Sequence, residues 1–391
     1  MFKPDCRVFE ERREIFFKKL NGKAAIIPSS SLVRHHADCE YPFRQDSNFW
    51  YLTGFDEPDS IALFLSHKPK GERFILFVAP KDILSEVWHG FRWGIEGAER
   101  EFKADKAHSI NEFKDLLPVY IGESEEIVYS IGKHTKIEKI VLEIFSQQQE
   151  ARSRVGIGAN SIKSPEIYLN EMRLIKSDFE INRMREATQI SAEAHELVRE
   201  SISSKKNERQ IQGLIEGFFL EKGARGPAYN SIVASGDNAC ILHYTLNNSE
   251  LNNGDLLLVD AGCSLIDYYN GDITRTFPIG GKFSKEQKLI YEIVLEAQKN
   301  AIKNSVKGSN STNVHNVALR ILVEGLKEIG LLRGDTDGII ENGSYKHLYM
   351  HRTGHWLGLD VHDVGAYRMG EYDVPLQNGM ILTVEPGIYI S

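Results

Sequence analysis

Two strands joined by a short turn constrain the fold of this chain more than any other part of its sequence. The stretch "LLLVDAGCSLIDYYNGDITRTFP" contains an apolar strand that ends at Asp260 and a second strand that begins at Asp272. Between them, "IDYYNG" is typical of a turn, because Asn270 and Gly271 tolerate a positive φ. Several neighbouring strands in this half of the chain are predicted to be linked by hairpins rather than helices. That pattern favours an α+β domain with an antiparallel or mixed sheet.

The hairpin would place the carboxylates of Asp260 and Asp272 side by side. Two like charges that close cannot both stay ionised cheaply, and a bridging cation removes the conflict. The alternative is that Asp272 caps a turn and Asp260 is a solvated strand end. These two residues alone leave both interpretations open.

Three histidines lie within "MHRTGHWLGLDVHDVG". The spacing of His351 and His355 would place both on one face of a helix, as in zinc-binding H-E-x-x-H segments. Gly354 and Gly358 are poor helix residues, however, and "WLGLDVHD" alternates like a strand or an extended loop. His355 and His362 would face opposite ways if that segment ran straight. We expect one histidine to bind metal and another to reach substrate; for any single histidine the alternative is a place in the core.

The stretch "LTVEPGIYI" predicts another apolar strand, which ends at Glu385 because Pro386 and Gly387 turn the chain. A lone glutamate before a turn usually faces water, so Glu385 is a candidate ligand only in combination with the other candidate residues. Two aspartates, one histidine and this glutamate form an oxygen-rich donor set that suits Mn, and also Co, Fe or Zn. Because carboxylates bridge metals readily, we expect two divalent ions about 3.5 to 4 Å apart and a metal-bound hydroxide as nucleophile.

The length of 391 residues favours two domains. In the first part, a charged N-terminal helix precedes apolar runs such as "AAIIPS", "SIALFLS" and "RFILFVAP", which predict strands between helices. Ser177 and Glu180 then form a capping-box pattern that opens a long helix, and Ser284 and Gln287 form another. The predicted domains are therefore residues 1–174 and 175–391.

Charge and composition exclude several classes of protein. A net charge of −8 argues against a nucleic-acid partner, which would need clustered Lys and Arg. The N-terminal stretch lacks the uninterrupted apolar region of a signal peptide, and no run approaches the roughly 20 apolar residues of a membrane helix. The four cysteines are scattered without C-x-x-C spacing, so we expect a reducing, cytoplasmic setting.

Five ordered stretches of this chain resemble the aminopeptidase P family, the proline-specific aminopeptidases of the pita-bread metallopeptidase superfamily. They are "EYPFRQDSNFWYLTGFDEPDS", "NSIVASGDNACILHYT", "DAGCSLIDYYNGDITRTFP", "HWLGLDVHDVG" and "LTVEPGIYI". The resemblance implies a creatinase-like N-terminal α/β domain followed by a pita-bread catalytic domain. It also implies an enzyme that removes the first residue from peptides with proline in second position.

The resemblance further implies a role for each candidate residue. The implied metal ligands are Asp260, Asp272, His355 and Glu385, with Asp272 as a bridge between the ions. The implied catalytic residues, which face the substrate, are His362, His351 and His243. The implied substrate-binding residues of the N-terminal domain are Asp38 and Trp88. Because these last two would complete the pocket of a neighbouring subunit, we expect a homo-oligomer, either a dimer or a tetramer.

The sequence departs from the family pattern at two points. The segment between the aspartates is one residue longer, which a hairpin turn can absorb. The family pattern also continues past "EPGIYI" to a glutamate in an Arg-x-Glu segment that bridges both metals, whereas this sequence stops at Ser391. We expect truncation rather than natural variation, with a C-terminally incomplete catalytic domain that could be inactive for lack of this ligand. The alternative functions are a prolidase acting on Xaa-Pro dipeptides and a non-catalytic peptide-binding protein.

Overall fold

The computed structural model describes residues 5–391, apart from the side chains of residues 153 and 204. The chain divides into two compact units between Glu171 and Met172. Among the described residues, no helix combines the length and the apolar character needed to cross a membrane.

The first unit contains the strands β1 (Ala24–Pro28), β2 (Arg34–His36), β3 (Cys39–Glu40), β4 (Ile61–Leu65), β5 (Phe74–Val78), β6 (Lys106–Ser109), β7 (Glu126–Val128) and β8 (Ser161–Lys163). Six of these strands form a mixed sheet with the order β6-β5-β4-β1-β7-β8, and β2 and β3 pair separately. Its helices are α1 (Cys6–Leu20), α2 (Ser47–Thr53), α3 (Ile83–His89), α4 (Gly94–Phe102), α5 (Phe113–Ile121), α6 (Thr135–Val155) and α7 (Glu166–Leu174), the last of which runs across the division. The three strands predicted from apolar runs are confirmed as β1, β4 and β5.

Every residue of β1, β4 and β5 is buried, which explains why these strands are apolar throughout rather than alternating. Leu117 and Ile121 of α5 belong to the core on one face of the sheet. On the other face, the Phe16 ring of α1 packs edge-on against Phe64, with 5.3 Å between ring centroids. The sheet is therefore covered on both faces.

The second unit contains the strands β9 (Gly226–Pro227), β10 (Ile232–Ser235), β11 (Leu256–Asp260), β12 (Cys263–Ser264), β13 (Thr274–Pro278), β14 (Arg368–Met369) and β15 (Tyr372–Asp373). Three of them form a sheet with the order β10-β11-β13, and this sheet is antiparallel, one of the two kinds that the hairpin pattern predicted. Its helices are α8 (Asp178–Ser201), α9 (Glu208–Glu221), α10 (Lys285–Asn304), α11 (Ser311–Glu328) and α12 (Thr336–Asn342).

Both predicted capping boxes are confirmed. At the start of α8, the Ser177 hydroxyl accepts from the Glu180 backbone N–H, and the Glu180 carboxylate accepts from the Ser177 backbone N–H. Ser284 and Gln287 form the same reciprocal pair at the start of α10. These pairs satisfy backbone donors that a helix start otherwise leaves unpaired. The division between units falls three residues before the predicted boundary at 174, which stays a prediction.

The prediction of a regular strand in "LTVEPGIYI" is wrong. Residues 381–385 instead run extended beside residues 353–357, with one isolated bridge between Trp356 and Leu382. The ladder is interrupted because the His355 N–H donates to the side-chain oxygen of Thr383. The backbones also approach very closely, since a Cβ at Gly354 would lie 1.9 Å from the Thr383 carbonyl oxygen. Only glycine fits at that position.

Candidate metal centre

The hairpin of β11 and β13 places Asp260 and Asp272 at one end of the antiparallel sheet. Asp260 is the last residue of β11 and pairs with Thr274, the first residue of β13. The Tyr229 hydroxyl oxygen lies 2.5 Å from Asp260 Oδ1 and 2.8 Å from Asp272 Oδ1. A phenol has one proton to donate, so the two carboxylates compete for the same hydroxyl. The two carboxylates are thus brought together around a single hydroxyl.

The turn between the aspartates is held differently from the prediction. The positive φ belongs to Tyr268, at 71°, rather than to Asn270 or Gly271. Asn270 is buried, and its side-chain amide donates to the backbone carbonyls of Gly358 and Leu359 at 3.0 and 2.9 Å. The asparagine therefore ties the aspartate hairpin to the segment that carries the histidines.

His355 lies between two of the carboxylates. Its Nε2 is 3.2 Å from Asp272 Oδ2 and 3.1 Å from Glu385 Oε1. Its Nδ1 is 3.0 Å from the Trp356 carbonyl oxygen. Because a carbonyl oxygen can only accept a hydrogen bond, Nδ1 must be the donor. That contact keeps a proton on Nδ1 and turns Nε2 towards the carboxylates, the arrangement that orients histidine ligands in metal sites.

Glu385 is held at this cluster by two contacts, one within its own segment and one with the facing segment 353–357. The Thr383 hydroxyl donates to Glu385 Oε1 at 2.8 Å. The Glu385 backbone N–H donates to the Thr353 carbonyl at 2.7 Å. The interrupted ladder thus sets the glutamate beside His355.

The protonation of the cluster shows how much negative charge it holds. Burial is the largest cause that raises the pKa of the Asp260 carboxyl to about 7; the Tyr229 hydroxyl opposes the rise, and the charge of Asp272 adds to it. Burial lowers the pKa of His355, but the hydrogen bonds with Asp272 and Glu385, together with the Trp356 carbonyl and the charge of Glu385, outweigh burial and raise the pKa to about 10. Near neutral pH, protons therefore partly neutralise the carboxylates, a task that a divalent cation performs equally well.

The donor set fits a divalent metal in its chemistry, with three carboxylates and one imidazole. Across residues 5–391, no three His, Cys, Asp or Glu side chains are already arranged as metal ligands. The four candidates are instead linked by hydrogen bonds to one another and to Tyr229. Metal binding would replace these shared protons and draw the donor atoms from about 3 Å contacts to about 2.0 to 2.2 Å from an ion.

His362 does not face away from His355, so the expectation based on a straight segment is wrong. The two rings pack edge to face, with 4.3 Å between their centroids and 75° between their planes. The chain bends back between them, because the Asp363 N–H donates to the Trp356 carbonyl at 2.9 Å. The buried Asp363 carboxylate is paired with Arg173 at 2.6 Å and Lys176 at 2.9 Å, which holds the bend in place.

The other predicted site residues lie in separate parts of the chain. His351 Nε2 is 2.8 Å from the Tyr389 hydroxyl, in the segment that follows Glu385. His243 is exposed on a turn after β10. Asp38, between β2 and β3, and Trp88, in α3, are exposed on the first unit, and Trp88 keeps 83% of its surface accessible. The functions of all nine predicted residues remain proposals.

Sequence reasoning missed several residues that support the cluster. They are Tyr229, Asn270, Asp363 and Thr383. Asn270, Asp363 and Thr383 lie inside the motifs, yet no spacing rule distinguishes a supporting side chain from a ligand. Tyr229, in "GPAYNSIV", has no local pattern that indicates its two carboxylate contacts.

Comparison with known proteins assigns the chain to a family. Residues 182–391 match the model of metallopeptidase family M24, and residues 9–129 match that of the aminopeptidase P N-terminal domain. The Xaa-Pro aminopeptidase of Haemophilus influenzae is 44% identical over 384 residues, covering 98% of this chain and 86% of the relative. The Xaa-Pro aminopeptidase of Escherichia coli is 38% identical over 385 residues, covering 98% and 87%.

Solved structures agree with this assignment. A variant of Escherichia coli aminopeptidase P in complex with substrate superposes with a TM-score of 0.95 at 37% identity, covering 100% of this chain and 88% of that one. Aminopeptidase PepP of Pseudomonas aeruginosa gives 0.94 at 38% identity, with the same coverage. The predicted fold, an aminopeptidase P-type N-terminal domain followed by a pita-bread domain, is confirmed. The chain is a member of metallopeptidase family M24 that carries an aminopeptidase P N-terminal domain.

Proposed function

We propose that this protein is a metal-dependent aminopeptidase that removes the N-terminal residue from peptides with proline in second position. The observation that carries the proposal is the placement of His355 Nε2 between Asp272 and Glu385, with Asp260 joined to Asp272 through Tyr229. The identity of 44% to an Xaa-Pro aminopeptidase over nearly the whole chain supplies the substrate class.

The residues that would hold two divalent ions are Asp260, Asp272, His355 and Glu385. Mn is the ion we propose, ahead of Co, Fe or Zn, because carboxylate oxygens outnumber nitrogen and no thiolate is present in the set. When bound, such ions lower the pKa of water and polarise a carbonyl. The carbonyl of Trp356 would keep the His355 Nε2 lone pair directed at the ion by holding the proton on Nδ1.

His362 would act on the substrate rather than on the metal. When the scissile carbonyl is attacked, negative charge grows on its oxygen, and a donor already aimed there stabilises the charge without reorganising. His362 stands beside His355 on a bend held by buried ion pairs, which suits a fixed donor. We assign His351, held through Tyr389, and the exposed His243 to peptide contacts.

The bond before proline is a specific chemical target. The proline nitrogen has no N–H and its ring fixes φ, so an enzyme that relies on that backbone donor cannot use it. We further propose that Asp38 and Trp88 complete the pocket of a neighbouring subunit in a dimer or tetramer, and that the enzyme works in the cytoplasm. The 83% exposure of Trp88 supports a role in contacting another molecule.

The experiment that tests the proposed function measures release of free amino acid from an Xaa-Pro-Xaa tripeptide by the full-length protein supplied with Mn. Release from the tripeptide supports the aminopeptidase, whereas turnover of Xaa-Pro dipeptides alone would indicate a prolidase. No release, together with less than one metal ion bound per chain, would favour a peptide-binding protein without catalysis. Nothing in the site favours either alternative over the aminopeptidase.

A further inference from the structure

Glu208 is a buried carboxylate outside the candidate metal centre. It is the first residue of α9 and has no exposed surface. Within residues 5–391 the structure gives it no ion pair. Burying a carboxylate without a cation is costly unless hydrogen bonds replace its water. Such a residue therefore calls for a structural reason.

Five donors from one loop satisfy the Glu208 carboxylate. Oε1 accepts from the backbone N–H of Ser235 at 2.7 Å, from its hydroxyl at 2.8 Å and from the Asn238 amide at 3.1 Å. Oε2 accepts from the Tyr244 hydroxyl at 2.8 Å and from the Ser249 backbone N–H at 2.9 Å. These donors lie at both ends and in the middle of residues 235–249, so one side chain closes the loop on itself.

The network requires the ionised form of Glu208. Burial raises the pKa of the carboxyl, but the hydrogen bonds from the loop, led by the backbone N–H groups of Ser235 and Ser249, together outweigh burial and hold the pKa below its usual range. The positive end of the α9 dipole also favours negative charge at the first helical residue. A glutamine at this position would carry an NH₂ group in place of one carboxylate oxygen. That NH₂ donor would face the loop's N–H and O–H donors and could not accept from them.

The loop that Glu208 closes is the one that presents His243. Tyr244, the next residue, is 6% exposed, and its hydroxyl donates to the Glu208 carboxylate. His243 itself is exposed. Asn247 supports the same loop from a left-handed φ of 48°, since its side chain accepts from the Val233 N–H at 3.0 Å. The buried tyrosine thus fixes the backbone directly beside an exposed histidine.

We propose that Glu208 is a positioning residue that acts through residues 235–249 to hold His243 where the peptide substrate binds. The proposal rests on the proposed function, in which His243 contacts the peptide. It predicts that loss of the carboxylate impairs catalysis by the same route as loss of His243 and leaves the metal centre intact.

The decisive variant is Glu208→Gln, measured in the full-length, Mn-loaded protein. We expect kcat/KM for an Xaa-Pro-Xaa tripeptide to fall about 10- to 100-fold, because a shift of about 1 Å in a positioned group costs on that order. Bound metal per chain should be unchanged. Glu221→Gln is the matched control, since it removes an exposed carboxylate from the same helix, and its kcat/KM should equal that of the wild type.

A double-mutant cycle separates positioning from general damage. In the His243→Ala background, Glu208→Gln should cost less than about threefold, because the group it positions is already gone. The proposal would be overturned if kcat/KM of the double variant fell by the product of the two single-variant factors. It would also be overturned if kcat/KM of Glu208→Gln were unchanged. Tyr244→Phe removes one of the five hydrogen bonds and keeps the packed ring, so it gives a milder reading if Glu208→Gln folds poorly. Its loss should also vanish in the His243→Ala background.

Amide hydrogen exchange gives a readout that does not depend on activity. Residues 235–249 should exchange at least about tenfold faster in Glu208→Gln than in the wild type, while β11 keeps its protection. If the wild type releases no amino acid, the proposed function fails, and the exchange comparison still decides whether Glu208 holds the loop. Unchanged exchange in the variant would exclude that hold.

Discussion

Replacing Tyr229 by Phe tests how the two aspartates are prepared for metal. The change removes only the hydroxyl that contacts Asp260 at 2.5 Å and Asp272 at 2.8 Å, and it keeps the ring. That hydroxyl lowers the pKa of Asp260, whereas burial and the charges of Asp272 and Glu385 raise it to about 7. Without the hydroxyl the pKa of Asp260 should rise further, so protons should compete better with metal at neutral pH.

The size of the effect follows from what the hydroxyl does. Loss of a group that orients a metal ligand typically costs about 10- to 100-fold in metal affinity. That is about 1.4 to 2.7 kcal/mol of binding free energy. Part of this loss is proton competition, which fades as the pH rises above the pKa of Asp260. The deficit should therefore be larger at pH 7 than at pH 8.5.

The assay is a competition titration of metal-free protein against a chromophoric chelator at the two pH values. Tyr120→Phe is the control, because it also removes one tyrosine hydroxyl contact, to His108 in the first unit, and should leave the affinity unchanged. An affinity for Tyr229→Phe within twofold of the wild type at pH 7, or a deficit that grows with pH, would refute the reasoning.

Three further predictions concern the histidines and the close backbone approach. His362→Ala should lower kcat about 10²- to 10³-fold with metal content unchanged, whereas His355→Ala should lose metal as well; metal analysis beside steady-state kinetics decides, and a metal-depleted His362 variant would reverse the roles. Burial lowers the pKa of His195 to about 4, below an unfolded value near 6.5. Its neutral form stabilises the fold above pH 6.5, and up to about 3 kcal/mol should be lost as the pH falls from 6.5 to 4, because only the unfolded chain binds the proton there. Urea unfolding of metal-free protein should show a smaller loss in His195→Gln, and an equal loss would contradict this. Gly354→Ala should destabilise the protein by about 1 to 3 kcal/mol in the same assay, since its Cβ would meet the Thr383 carbonyl at 1.9 Å; an unchanged midpoint would exclude that clash.

The sequence predicted those parts of the fold that depend on local chemistry. The capping boxes at Ser177 and Ser284 and the buried strands of the first unit need only neighbouring residues, and the structure contains them. Whether the segment before Glu385 forms a regular strand could not be predicted from neighbouring residues. Its ladder is interrupted by the Thr383 side chain and by the approach at Gly354, and both depend on a segment about thirty positions away.

The same limit applies to the candidate site. The residue types and order in the motifs indicated which side chains could bind metal. They did not indicate that His362 would bend back against His355, because the bend depends on Asp363 meeting Arg173 and Lys176 from a distant helix end and linker. Supporting contacts made by residues far apart in sequence leave no periodic signal in either segment.

The buried pair of Lys176 and Asp363 has a consequence for how the protein folds. The two residues are separated by 187 positions, and Asn270 reaches the Gly358 carbonyl across 88. Closing loops of that length costs chain entropy before any contact is gained, so such contacts form slowly. We expect the bend between His355 and His362 to form only after the helices and the β10-β11-β13 sheet have formed. Metal uptake should then lag behind the recovery of secondary structure during refolding. It would report the final closing of the site and would not direct the early formation of helices and strands.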